Sequence, residues 1–294
     1  MIQLHRGDKV AIVAPCGQIE NIEKISLGLE YLKSLGLEPI LSQHLLSTHR
    51  YMAGTDQERA ADINAAYADT DIKAMFCVRA AAGGTRILPY IDYQLAAANP
   101  KPVIGFCDNV ALQIALAEKA NITSLNGFNL TYDFRSSSLD SQIKSDLENL
   151  LFGQTPTFIS GIPLRTGICQ GTLIATNLSV LMRMAGTAYF PNLKNKILLL
   201  EDTHERLHKI DLMLQQLKQQ PDFDKISGII FGQFTDCSGD TEDGSLEDCF
   251  IDFMADTDFP ILKDFNFGHL PSRRVLPLGV TAELNTTHAE LKLI

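Results

Sequence analysis

The stretch Pro102-Val103-Ile104-Gly105-Phe106-Cys107-Asp108-Asn109-Val110-Ala111-Leu112-Gln113-Ile114-Ala115-Leu116 decides the fold. A short apolar run ends in Gly-x-Cys, and an amphipathic helical pattern begins at once. That order predicts a strand, a sharp turn and a helix, the arrangement that lifts a nucleophile above a sheet. Gly105 matters because a side chain two residues before the nucleophile would crowd the turn. Asn109 tolerates unusual backbone angles better than most non-glycine residues. The N–H of Asp108 would point toward the site, where it could stabilise an oxyanion. The segment alone is equally compatible with a buried thiol at an ordinary strand–helix turn, because scattered cysteines usually serve packing.

Working outward, the first half alternates β-rich runs with helical patterns. Lys9–Pro15, Glu38–Leu41, Ile72–Val78 and Val103–Phe106 read as strands. Residues 21–35 and Thr55–Ala68 read as helices. Thr55 followed by Glu58 has the spacing of a capping box. Strands separated by helices imply βαβ units and a mostly parallel sheet. Ligands bind such sheets at the carboxyl ends of their strands. The loops after Val13, Val78 and Phe106 should therefore share one rim.

The turn-rich Asp133–Asp140, a short helix and Gly153-Gln-Thr-Pro-Thr read as a connector. A second unit follows, with a strand over Lys196–Leu200 ending in Glu201, a helix over about 205–219 and a strand over Ile226–Phe231. Leu276–Leu284 closes the chain as strand and turn. The expected organisation is an N-terminal α/β domain over 1–135, a connector over 136–165 and a C-terminal domain over 166–294.

The chain has 294 residues, 45% apolar and 20% charged, enough to bury a proper core. Its formal net charge of -10 argues against a nucleic-acid partner, which would want a basic face. No apolar run sits behind a basic start, and none approaches the roughly 20 residues of a membrane helix. A soluble, cytoplasmic protein is expected. The six cysteines lack metal-type spacing, and reduced thiols are the default without a secretion signal. No metal and no cofactor are expected. His204 and His208, four apart, have metal-compatible spacing, but no third ligand is apparent and they read as a solvated face.

Two further residues suit acyl-transfer chemistry. Glu201 ends an apolar strand, a position from which a carboxylate can orient a histidine. Taken alone it is more simply a solvated acid. His269 lies in Asn266-Phe267-Gly268-His269-Leu270-Pro271, between an aromatic residue and a proline turn. A lone loop histidine is usually a surface residue. The order nucleophile, acid, histidine is one of the known triad orders.

Several segments together resemble the LD-carboxypeptidase family of serine peptidases. They include Gly7–Pro15, Ala53–Ala60, Arg86–Tyr93, Gly105-Phe106-Cys107-Asp108, Asn177-Leu178-Ser179, Gly186-Thr187, Leu200-Glu201-Asp202, Gly268-His269 and Leu276–Gly279. The resemblance implies an N-terminal α/β domain and a β-rich C-terminal domain with the active site between them. It implies Cys107 as nucleophile, Glu201 as triad acid and His269 as base. It also implies a homodimer and a small muropeptide-like substrate, an L,D-tetrapeptide cut to a tripeptide. A related branch hydrolyses aminoacyl-nucleotide antibiotics and uses a tryptophan to stack the base; this chain has no Trp.

The departures lie at the site. The family pattern has Ser where this chain has Cys107. It has Gly-Gly-Tyr-Gly where this chain reads Ala80-Ala81-Ala82-Gly83, Gly-Gly at Ala175-Thr176, and Pro-Ser at Pro15-Cys16. An alanine forced to positive φ is strained where glycine is not, and it could turn away an oxyanion-binding N–H. A thiol paired with histidine remains a competent acyl-transfer nucleophile. Arg79 could grip a substrate carboxylate or tie its loop down with an ion pair, and Gly83 lies on the same expected oxyanion and substrate-binding loop. The leading expectation is therefore an LD-carboxypeptidase-like hydrolase. A peptide-binding protein on a weakened or inactive peptidase scaffold is the alternative, and a glutamine-type amidase using the Cys elbow is a third.

Overall fold

The computed structural model describes residues 2–135 and 138–294. Ser136 and Ser137, where the expected connector begins, lie outside the described residues. The chain divides into two compact units, the first running to Gln154 and taking in Arg274–Gly279, the second comprising Thr155–Arg273 and Val280–Ile294. The stretch expected as a connector is instead shared out. Helix Ser141–Leu151 belongs to the first unit, where Ile143, Leu147, Leu150 and Leu151 are buried. The residues after Thr155 are strands of the second.

In the first unit β1 (Lys9–Val13), β2 (Glu38–Leu41), β3 (Ile72–Cys77), β4 (Val103–Gly105) and β5 (Ser124–Asn126) form a parallel sheet in the order β5-β4-β3-β1-β2. The helix Asp56–Ala68 starts with the expected capping box: Thr55 Oγ1 accepts from the Glu58 N–H at 3.2 Å and Glu58 Oε2 from the Thr55 N–H at 2.7 Å. Helix Val110–Ala120 buries every residue from Val110 to Leu116. It is apolar all round rather than striped, as a helix enclosed by its own unit must be. Its one amide there, Gln113, donates to the Val103 and Leu125 carbonyls at 3.1 and 2.8 Å, pinning the helix to β4 and β5.

The second unit is β-rich. It holds β6 (Thr157–Ile159), β7 (Ile162–Arg165), β8 (Ile168–Asn177), β9 (Lys196–Thr203), β10 (Gly228–Thr235) and β11 (Ile261–Lys263). The chain then returns to the first unit as β12 (Leu276–Leu278), antiparallel to β5, and ends in the second as β13 (Thr281–Asn285) and β14 (Glu290–Leu293). The closing strand read from the sequence is thus two strands in different sheets, parted at Gly279, whose φ of 87° turns the chain. The eight strands run β6-β14-β13-β8-β9-β10-β11-β7. Its two edge strands are separated in the chain by Ser160 and Gly161 alone. Three residue steps span at most about 11 Å, so the sheet must curl enough to bring the joined ends of its two edge strands together. Gly161, at φ 101°, makes the crossing; a Cβ there would lie 2.7 Å from the Lys263 carbonyl oxygen. Among the described residues no helix is long and apolar enough to cross a membrane.

Candidate active site

At the end of β4, Phe106 is extended and Cys107 turns left-handed with a φ of 60°. A 3-10 turn over Cys107–Asn109 then leads into the buried helix. A residue with a Cβ pays about 1–2 kcal/mol for that conformation, and such strain persists only where the surroundings dictate it. The unusual angle belongs to the cysteine itself, not to Asn109, which is helical at φ -61° and ψ -21°. Gly105 is required as expected: a Cβ there would sit 2.8 Å from Asn109 Cβ and 3.1 Å from Cys77 Sγ. Cys107 is half-buried.

The loops after β1, β3 and β4 do share one rim. The Gly17 N–H donates to the Ala80 carbonyl at 3.0 Å, and a Cβ on Gly17 would collide with that same oxygen. Arg79 donates from Nη1 to the Gln18 carbonyl at 2.9 Å, a side-chain-to-backbone contact that ties the loop to its neighbour. Asp108 Oδ2 accepts the Gly84 N–H at 2.6 Å and draws the loop after β3 against the elbow. Gly83 has φ 135°, and its carbonyl accepts from Arg59 Nη1 at 2.9 Å. Arg59, wholly buried, also donates to the Pro15 carbonyl and pairs with Asp56. Ala81 adopts the strained left-handed angle, at φ 79°. The loop therefore keeps a path suited to glycine although it carries alanine.

In the second unit Glu201 lies within β9, two residues before its end, and is completely buried. His269 Nδ1 is 2.9 Å from Glu201 Oε2. Burial raises the Glu201 carboxyl above the ordinary range, and the imidazole contact works against that rise. The loop carrying His269 is pinned to β10: the Gln233 N–H donates to the Phe267 carbonyl at 2.8 Å, and the Phe265 N–H to the Phe231 carbonyl at 3.1 Å. Phe265 and Phe267 are fully buried and anchor it. Gly268, at φ 139°, permits the approach, since a Cβ there would lie 2.9 Å from the Gln233 carbonyl oxygen and 3.1 Å from Glu201 Oε2.

Cys107, Asp108, Arg79 and Gly83 thus belong to one rim of the first unit, and Glu201 and His269 form a pair in the second. Three supporting residues escaped the sequence reading. Arg59 is one. Asp202 is another, accepting from the Ser179 N–H and hydroxyl at 2.7 and 3.1 Å and so fixing the Asn177-Leu178-Ser179 turn. Asn109, through its side chain, is the third. His204 precedes the helix Leu207–Lys218, so it and His208 do not share a helical face.

A thiol on a strand–helix elbow and an imidazole held by a buried carboxylate are each groups that acyl-transfer chemistry can use. Residues 10–127 match the LD-carboxypeptidase N-terminal domain and residues 170–284 its C-terminal domain. The probable murein peptide carboxypeptidase of Bacillus subtilis is 30% identical over 289 residues, covering 96% of this chain and 90% of that protein. The crystal structure of the muramoyltetrapeptide carboxypeptidase from Oxalobacter formigenes superposes with a TM-score of 0.87 at 25% identity, over 97% of each chain. A MccF-like protein from Bacillus anthracis, 23% identical, shares the fold with a TM-score of 0.87 over 100% of this chain and 98% of its own. The chain belongs to the LD-carboxypeptidase family. It is a carboxypeptidase-type enzyme.

Proposed function

We propose that this enzyme removes the C-terminal residue of a muropeptide-like L,D-tetrapeptide through a Cys107–His269–Glu201 triad. The observation that carries the reading is the Glu201–His269 pair. A fully buried carboxylate is expensive to keep, and one bonded to the Nδ1 of a histidine is what orients an imidazole for proton transfer. Cys107 Sγ attacks the amide carbonyl before the terminal residue. His269, through Nε2, takes the thiol proton and returns it to the leaving amine. The Asp108 N–H, in the first turn after the elbow, stabilises the oxyanion. Water then cleaves the thioester with the same histidine as base. The exposed Arg79 guanidinium, steadied by Gln18, takes the terminal carboxylate. Gly83 shapes the loop beside the elbow.

The relatives named for murein peptides support this substrate class. The likeness to the MccF-like structure is one of fold, and with no tryptophan in the chain an aminoacyl-nucleotide substrate is disfavoured. A binding role without turnover gives no reason to hold a strained Cys107 and a buried Glu201. The reading carries with it a homodimer acting in the cytoplasm. Incubation with an L-Lys- or diaminopimelate-containing tetrapeptide, followed by mass spectrometry, tests it. Release of D-alanine is expected from the wild type and from Cys107→Ser, and none from Cys107→Ala. Equal release by the wild type and Cys107→Ala overturns it.

A further inference from the structure

The left-handed turn at Cys107 needs something to hold it, and the Asn109 side chain lies where it can do so. Asn109 is completely buried. Its Nδ2 donates to the Phe106 carbonyl at 3.0 Å, to Asn129 Oδ1 at 3.1 Å and to the Arg79 carbonyl at 3.3 Å. Its Oδ1 accepts from Cys16 Sγ at 3.1 Å. Three oxygen acceptors on one side and a thiol donor on the other fix which way the amide faces. Phe106 is the residue immediately before the thiol, Arg79 stands on the loop after β3, and Cys16 on the loop after β1. One carboxamide therefore ties the elbow to both neighbouring loops. Asn129, itself buried, gives the Phe106 carbonyl a second and longer donor at 3.4 Å. Cys16, fully buried and raised well above the ordinary thiol range by that burial, acts here as a neutral S–H donor.

We propose that Asn109 is a positioning residue: its carboxamide, oriented by Cys16 and Asn129, holds the left-handed turn at Cys107 and so aims the thiol and the Asp108 N–H. The inference rests on the reading of Cys107 as the nucleophile. A misplacement of about 1 Å in a reacting group costs about 100-fold in rate, so the carboxamide governs turnover more than substrate affinity.

Four variants test it: Asn109→Leu, which keeps the volume and removes every hydrogen bond, Cys16→Ala, Cys16→Ser and Cys107→Ser. Each is assayed for kcat and KM on the tetrapeptide. The variants that keep Cys107 are also followed by the rate of Cys107 carbamidomethylation against pH, resolved by peptide mass mapping. For Asn109→Leu, kcat should fall about 10- to 100-fold with KM within about threefold, and the alkylation profile should change with it. Cys16→Ala should lower both rates several-fold, and Cys16→Ser, whose hydroxyl can still donate to Asn109 Oδ1, should restore them. Wild-type rates in Asn109→Leu, or indistinguishable Cys16→Ala and Cys16→Ser, overturn the proposal. Should Asn109→Leu not fold, the Cys16 pair alone decides. If neither the wild type nor Cys107→Ser cleaves the tetrapeptide, the substrate reading fails, and the alkylation series still decides for or against Asn109.

Discussion

Ala81→Gly isolates the cost of the altered loop. Ala81 holds φ 79° and is exposed, so its replacement removes almost no buried surface. Releasing a Cβ from the left-handed region gains about 1–2 kcal/mol. Glycine gives back about 0.4–1 kcal/mol through the greater freedom of the unfolded chain. The midpoints leave a net stabilisation of about 0.8 kcal/mol. At about 2–4 °C per kcal/mol for a unit of this size, the first thermal transition should rise by about 1–4 °C. Urea titration should move its midpoint without changing its slope. Because the backbone already follows a path suited to glycine, kcat should stay within about threefold. Two results would refute the reasoning. A fall in Tm would mean that the Cβ, which faces Gly17, contributes packing larger than the strain. A gain in kcat near the 100-fold typical of an oxyanion donor would mean that the alanine had turned that donor away.

The remaining predictions concern the thiols, the acid and the histidine loop. Burial pushes the thiols of Cys169 and Cys237 up to about 11 and raises those of Cys16, Cys77 and Cys249, so iodoacetamide at pH 8 should modify Cys107 first; modification of Cys237 at an equal rate would count against the nucleophile assignment. Glu201 has its carboxyl raised by burial, so its folded form holds a proton more tightly than the unfolded chain. The stability this gives is present below the ordinary glutamate value near 4.3 and is lost as pH rises through the raised value. Glu201→Gln cannot ionise, so its Tm relative to wild type should increase from pH 4 to pH 8 while kcat falls about 10³- to 10⁴-fold; a flat Tm difference refutes the assigned cause. Gly268→Ala adds a strained φ and close contacts with Gln233 and Glu201, and should cost at least about 2 kcal/mol and about 100-fold in kcat; melting and turnover within error of wild type would show that the loop yields easily.

What could be read in advance was what the chain encodes locally. The elbow follows from Gly105 and the switch from apolar run to helix within a few residues, and the capping box from Thr55 and Glu58 three apart. The three-loop rim follows from the βαβ order, which places the ends of parallel strands together. The rest depends on partners far apart in sequence. Arg59 meets Pro15 and Gly83 across 44 and 24 residues, and no periodicity links a helix arginine to two loop carbonyls. Glu201 and His269 are 68 residues apart. Each looks ordinary by itself, an acid on a strand and a histidine in a loop, and only the bulky Phe265 and Phe267, with Gly268 between them and the histidine, hint that the loop is anchored. The curled sheet was hidden for a related reason. β6, β7 and β11 are three or four residues long, too short for a period of two to show, and Gly279 divides what looks like one strand between two sheets. Asn109 shows the same limit at the elbow. An asparagine beside a sharp turn reads as a residue that tolerates an unusual backbone angle, but the angle falls on Cys107 and the asparagine supplies the hydrogen bonds that keep it there. A residue's backbone tolerance can be read from its type. The strain falls instead where the surrounding bonds force it, and at this elbow they force it onto the residue that the proposed mechanism needs aimed.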